Sequence, residues 1–130
     1  MARKPKFHSK GSYRSGLEVK VATQLKECGV EAEYETLKIK YLVPQKEHYY
    51  KPDFQIPNGI IIETKGRFDL EDRKKHLLVR EQHPDLDIRF VFTNSNSKIR
   101  KGSPTSYADW CKKNGFQFAD KVVPKEWLNE

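Results

Sequence analysis

The stretch Pro52-Asp53-Phe54-Gln55-Ile56-Pro57-Asn58-Gly59-Ile60-Ile61-Ile62-Glu63-Thr64-Lys65-Gly66 constrains the fold of this chain most. Two apolar runs flank Asn58-Gly59, a pair that tolerates the positive φ angles of a tight β-hairpin turn. One run carries Asp53 near its start, and the other ends in Glu63-Thr64-Lys65. Antiparallel pairing across the turn brings Asp53 and Glu63 to one end of a sheet. Two carboxylates and a lysine in such a place suit a hard divalent cation and a water to be activated.

An acid two residues before a lysine is by itself a weak signal. It occurs three times, at Glu18-Val19-Lys20, Glu63-Thr64-Lys65 and Asp72-Arg73-Lys74. The first and third fall on predicted helices. Only the middle one ends a strand and has an acid on the strand beside it. A surface ion pair is the simpler account, because residues i and i+2 share a strand face. Three consecutive isoleucines weigh against it, since a strand buried on both faces ends in charge only where the charge meets solvent or has work to do. The expected chemistry is phosphodiester hydrolysis. One or two Mg²⁺ ions are expected on Asp53, Glu63 and the backbone carbonyl of Thr64, offsetting phosphate charge and lowering the pKa of a water. Lys65 orients that water or stabilises the charged transition state; as an ammonium it is not a base.

The rest of the chain supplies a frame for this site. Its 130 residues suit one domain. A net charge of +7 favours a polyanionic partner, nucleic acid or an acidic membrane surface. Residues 1–11 read as a basic flexible arm; Arg3, Lys4, Lys6, Lys10 and Arg14 are candidate phosphate contacts, joined further on by Arg67, Lys74, Lys75, Lys98, Arg100 and Lys101. No apolar run approaches the roughly 20 residues that span a bilayer, and the Met-Ala-Arg-Lys-Pro-Lys start has no apolar stretch of the kind a signal peptide needs. Cys28 and Cys111 read as free thiols.

Ser15-Gly16-Leu17-Glu18 fits a capping box, opening a helix with an apolar stripe of Leu17, Val21, Leu25 and Cys28 that Gly29 closes. Glu18 therefore has a structural explanation. Residues 30–56 read as extended, and their length requires several strands or a reach away from their own core. Asp69 caps a second predicted helix that ends at His83-Pro84, with His76 expected as a surface or capping side chain. Asp87–Thr93 reads as a buried strand. Ser103 and Pro104 suit the N-cap and first position of a third helix running to about Asn114, and the basic loop before it is a candidate phosphate site. A last strand at 116–119 and a short helix at 124–128 complete a mixed sheet flanked by helices, an α/β class.

Pro52-Asp53 with Glu63-Thr64-Lys65 resembles the PD-(D/E)xK nuclease motif. The segments Arg14-Ser15-Gly16-Leu17-Glu18, Tyr50-Lys51-Pro52-Asp53-Phe54, Pro57-Asn58-Gly59-Ile60, Asp72-Arg73-Lys74-Lys75-His76-Leu77-Leu78 and Lys101-Gly102-Ser103-Pro104-Thr105-Ser106-Tyr107 resemble the endonuclease I family of the T-odd bacteriophages. That resemblance implies a Mg²⁺- or Mn²⁺-dependent endodeoxyribonuclease, acting in the bacterial host cytoplasm, that recognises four-way (Holliday) and other branched DNA by shape and makes paired nicks. It implies that Asp53, Glu63 and Lys65 are catalytic and that Glu18 joins them. It also implies an intertwined, domain-swapped homodimer. Residues 12–130 are then one nuclease domain, with 12–43 exchanged between chains and 44–47 as the crossing segment. A duplex-cleaving nuclease of the same superfamily and a non-catalytic basic DNA-binding protein are the alternatives.

Overall fold

The computed structural model describes residues 14–44 and 46–130. The basic arm, with Arg3, Lys4, Lys6 and Lys10, lies outside the described residues, as does Gln45 in the expected crossing segment. Helices α1 (Gly16–Glu27), α2 (Leu70–Gln82), α3 (Tyr107–Asn114) and α4 (Lys125–Leu128) accompany seven strands. These are β1 (Glu33–Tyr34), β2 (Ile39–Val43), β3 (Lys46–Tyr50), β4 (Phe54–Gln55), β5 (Ile61–Lys65), β6 (Ile88–Phe92) and β7 (Phe118–Asp120). A five-stranded mixed sheet has the order β1-β4-β5-β6-β7, and β2 pairs with β3 in a separate antiparallel ribbon. The extended region thus breaks into four strands, as its length required.

The Asn58-Gly59 signal marks a hairpin. Ile56 and Ile60 close its loop through an Ile56 N–H bond to the Ile60 carbonyl at 3.0 Å, and Gly59 takes the left-handed conformation with φ 94°. The Asn58 carboxamide oxygen accepts from the Ile60 N–H, and its NH₂ donates to the Trp127 carbonyl, tying the turn to α4. Beyond the turn β5 runs antiparallel to β4 but parallel to β6, and β6 runs parallel to β7. Helices α2 and α3 make the two parallel crossovers.

Alternation along β5 divides the interior into two cores. Ile61 faces a cluster with Phe68, Val79, Phe90, Phe92, Tyr107 and Trp110, roofed by α2, α3 and the β2–β3 ribbon. Ile62 faces Val21, Leu25, Phe54, Val91 and Trp127 beneath α1 and α4. The sheet is therefore covered on both sides, which is why Ile60-Ile61-Ile62 leading along β5 and Phe90-Val91-Phe92 of β6 are apolar on both faces.

Two local expectations need correction. The N-cap of α3 is Ser106, not Ser103: the Ser106 hydroxyl accepts from the Asp109 N–H, and the Asp109 carboxylate accepts from the Ser106 N–H. The reciprocal box satisfies two otherwise orphaned donors, whereas Ser103-Pro104 offers only one. His76 is not a surface group. It is fully buried among Tyr50, Phe68 and Phe90, with ring centroids 4.8–6.2 Å away, and neither ring nitrogen has a hydrogen-bond partner.

Burial drives the His76 pKa well below its ordinary value, with the positive charges of Lys65 and Lys75 adding to the shift. The unfolded chain takes up the proton near pH 6.5 and the folded chain does not, so stability falls as pH drops through that value. The expected slope from this residue alone is about 1.4 kcal/mol per pH unit below about pH 6. Urea unfolding of the wild type and His76→Leu from pH 7.5 down to 5 checks it. The variant should lose markedly less stability on acidification; parallel losses would acquit His76.

Among the described residues no helix is long and apolar enough to cross a membrane.

Candidate active site

The C-terminal ends of parallel strands are where open α/β sheets gather ligands, and β5 ends there in Glu63, Thr64 and Lys65. Glu63 and Lys65 share one strand face, while Thr64 points to the other. On the Glu63 face the Lys65 ammonium lies 3.6 Å from Glu63 Oε1 and 3.3 Å from Asp72 Oδ1 of α2. The Tyr50 hydroxyl donates to Glu63 Oε2 at 2.7 Å. The Asp53 N–H also reaches Glu63 Oε2, at 3.4 Å.

On the Thr64 side, Asp53 Oδ2 accepts two bonds from one residue: the Thr64 N–H at 2.9 Å and the Thr64 hydroxyl at 2.7 Å. The hairpin therefore does bring Asp53 and Glu63 together. Both are buried, at 7 % and 4 % exposure.

Glu18 arrives from α1. Half of the expected capping box forms: Ser15 Oγ accepts from the Glu18 N–H at 3.1 Å. The Glu18 carboxylate does not return to the Ser15 N–H. Its Oε1 instead accepts from the Arg14 N–H at 2.8 Å and from the Tyr34 hydroxyl at 2.7 Å. Turned that way it meets Asp53 and Glu35, and one carboxylate oxygen from each of the three lies within 4.8 Å of the other two. Glu35 was not among the expected residues. It follows β1 with φ 53°, and its N–H donates to the Asp53 carbonyl. Only that backbone placement brings it to the site, and no sequence period signals it.

The electrostatics are those of anions crowded away from water. Burial first, and the Glu63 charge second, push Asp53 up to about 8 against the pull of its Thr64 bonds. Glu63 is also raised by burial, against Lys65 and the Tyr50 hydrogen bond. Burial alone would lower Lys65, but the Glu63 and Asp72 carboxylates more than reverse it, so Lys65 stands as an ammonium. An all-oxygen donor set whose own repulsion disfavours its charged form fits a hard divalent cation.

Of the described basic candidates, Arg14 touches this cluster through Glu18 and Glu35. Arg14 is exposed, its Nε 3.0 Å from Glu35. Arg67, Lys74, Lys98, Arg100 and Lys101 are exposed, and Lys75 is half-buried beside Asp72 at 3.9 Å. The Lys98 ammonium donates to the Pro104 carbonyl, bracing the basic loop ahead of α3.

Two curated phage proteins are similar to this chain. Endonuclease I of Escherichia phage T7 is 57% identical over 120 residues, covering 92% of this chain and 80% of its own. Endodeoxyribonuclease 1 of Enterobacteria phage T3 is 57% identical over 119 residues, covering 92% of this chain and 78% of its own. The pattern described as Phage endonuclease I matches residues 1–130. With more than half its residues shared across nearly its full length, and with acids and a lysine gathered at one sheet end, the chain belongs to the phage endonuclease I family.

Proposed function

We propose that this endonuclease hydrolyses phosphodiesters of branched DNA, four-way junctions above all, using Mg²⁺ or Mn²⁺ in a PD-(D/E)xK-type site. The observation that carries the reading is the convergence of buried Asp53, Glu63 and Glu18 with the Lys65 ammonium at the end of β5. Asp53, Glu63 and the Thr64 carbonyl would hold one cation, and Glu18 and Glu35 offer Asp53 a second. A bound cation supplies charge neutralisation at the phosphate and a more acidic water. The chain's own residues do the rest. Lys65, pinned between Glu63 and Asp72, presents a fixed positive charge to the phosphate as charge builds on it. The Thr64 bonds hold Asp53 in one rotamer. Arg67, Lys74, Lys75, Lys98, Arg100 and Lys101, with the arm residues Arg3, Lys4, Lys6 and Lys10 and with Arg14, would track the backbone of the DNA arms.

The working unit is proposed as a homodimer in the host cytoplasm that exchanges residues 12–43. Val43 pairs with Lys46 across the tight end of the β2–β3 ribbon. Opening that end lets the same strand pairs and the same α1 contacts form between two chains, which is how a domain swap is built. Two sites per dimer match the two cuts that resolve a junction.

The duplex-nuclease reading is tested by incubating a four-way junction and a linear duplex of the same sequence with Mg²⁺. The junction should be consumed while the duplex persists. Equal rates on both would replace junction selectivity with general duplex cleavage, and binding without any cut would leave only a DNA-binding protein.

A further inference from the structure

The acids of this site do not stand alone, and Glu63 has the most telling neighbour. Its two oxygens are not equivalent. Oε2 is engaged twice, by the Tyr50 hydroxyl at 2.7 Å and by the Asp53 N–H at 3.4 Å. Oε1 faces the Lys65 ammonium at 3.6 Å. The Tyr50 hydroxyl bond is the shorter and better placed of the two on Oε2, and hydroxyl donors to a carboxylate are among the strong hydrogen bonds.

Tyr50 is itself held in place. It ends β3, is 1 % exposed, and packs edge-on against the His76 ring with centroids 5.0 Å apart. The Lys75 ammonium sits 5.6 Å from its ring centroid. A ring fixed on those sides has one place to put its hydroxyl, and that place is Glu63.

We infer that Tyr50 is a positioning residue for the nuclease reaction: its hydroxyl occupies Glu63 Oε2 and so commits Oε1 to the cation. The inference rests on the cation-dependent reading above. Outer groups that orient a metal-binding carboxylate commonly account for 10–100-fold in metal affinity or activity. Without the hydroxyl, Glu63 keeps its burial but loses its orientation. The reaction then loses rate rather than substrate affinity, because the DNA is held by cations elsewhere on the surface.

Tyr50→Phe keeps the ring and removes one oxygen. Mn²⁺ is titrated calorimetrically into the DNA-free wild type, Tyr50→Phe, Glu63→Gln and the double variant, and kcat and KM on a four-way junction are measured for the first two. Thermal melts establish that each variant is folded. The expected result is Mn²⁺ affinity weakened about 10-fold in Tyr50→Phe and kcat lowered by about 10–100-fold with KM unchanged. In the Glu63→Gln background the second substitution should change Mn²⁺ affinity no further. Wild-type Mn²⁺ affinity and kcat in Tyr50→Phe, or equal losses with and without the Glu63 carboxylate, would overturn the positioning role while leaving the cation site intact. A wild type that takes up no Mn²⁺ would overturn the cation reading and this inference with it.

Discussion

Replacing Asp53 by Asn, or Glu63 by Gln, is expected to lower the cleavage rate roughly a thousandfold, the scale on which loss of one electrostatic stabiliser is felt. DNA binding should persist. Both substitutions keep shape and remove charge, and the basic residues that would hold the DNA are left in place. Folding should not suffer. An acid whose folded pKa is raised opposes folding once pH exceeds its unfolded value, and the penalty is complete above the folded pKa. At pH 9, above the value of about 8 for Asp53, Asp53→Asn should therefore be at least as stable as the wild type. The Asn carbonyl can still accept from the Thr64 N–H and hydroxyl. Single-turnover cleavage, gel-shift binding and thermal melts on the same preparations separate these effects. Undiminished nicking by either variant would remove that residue from the site.

A larger architectural effect is expected from mixing two dead proteins. Glu18→Ala chains and Glu63→Ala chains should each be inactive alone. If residues 12–43 are exchanged, a mixed dimer pairs the intact Glu18 of one chain with the intact Glu63 of the other, restoring one site of two. Co-refolded at equal amounts, half the dimers are mixed, so roughly a quarter of the wild-type nicking should return, as single nicks rather than paired ones. A chain that completes its own site gives no such rescue, because each damaged chain stays damaged. The described chain places Glu18 beside its own Asp53, so silence in this experiment would point to sites built within single chains.

Local chemistry made much of this legible. Ser15 and Asp69 cap their helices as their side chains suggest, because the bond reaches only three residues along the chain. Asn58-Gly59 announced the hairpin, and the hairpin announced the meeting of Asp53 with Glu63. The misses share a cause. Ser103 and Ser106 compete for one helix start, and Asp109 decides between them by completing the reciprocal box. His76 hides in a cationic run, yet Arg73, His76 and Val79 form the buried face of α2 at helical spacing. Arg73 lies inside because its guanidinium finds the Phe68 and Ile99 carbonyls, and polarity alone cannot reveal such partners. Glu35, Tyr34, Tyr50 and Asp72 join the site through tertiary contacts that no window of sequence contains.

The two margins of the sheet end alike. Strand β1 has two residues and stops at Glu35 with φ 53°; β7 has three and stops at Lys121 with φ 67°. A left-handed residue with a side chain is strained by about 1–2 kcal/mol, and it turns the backbone off the line on which another strand would dock. Among the described residues each margin is thus a short strand that a charged kink closes. Proteins crowded along the same DNA meet edge to edge at high local concentration, where an open margin templates aggregation. Glycine at either kink would ease the backbone and keep the turn, because it takes positive φ without strain; a β-branched residue there would resist the turn and favour a longer, stickier edge.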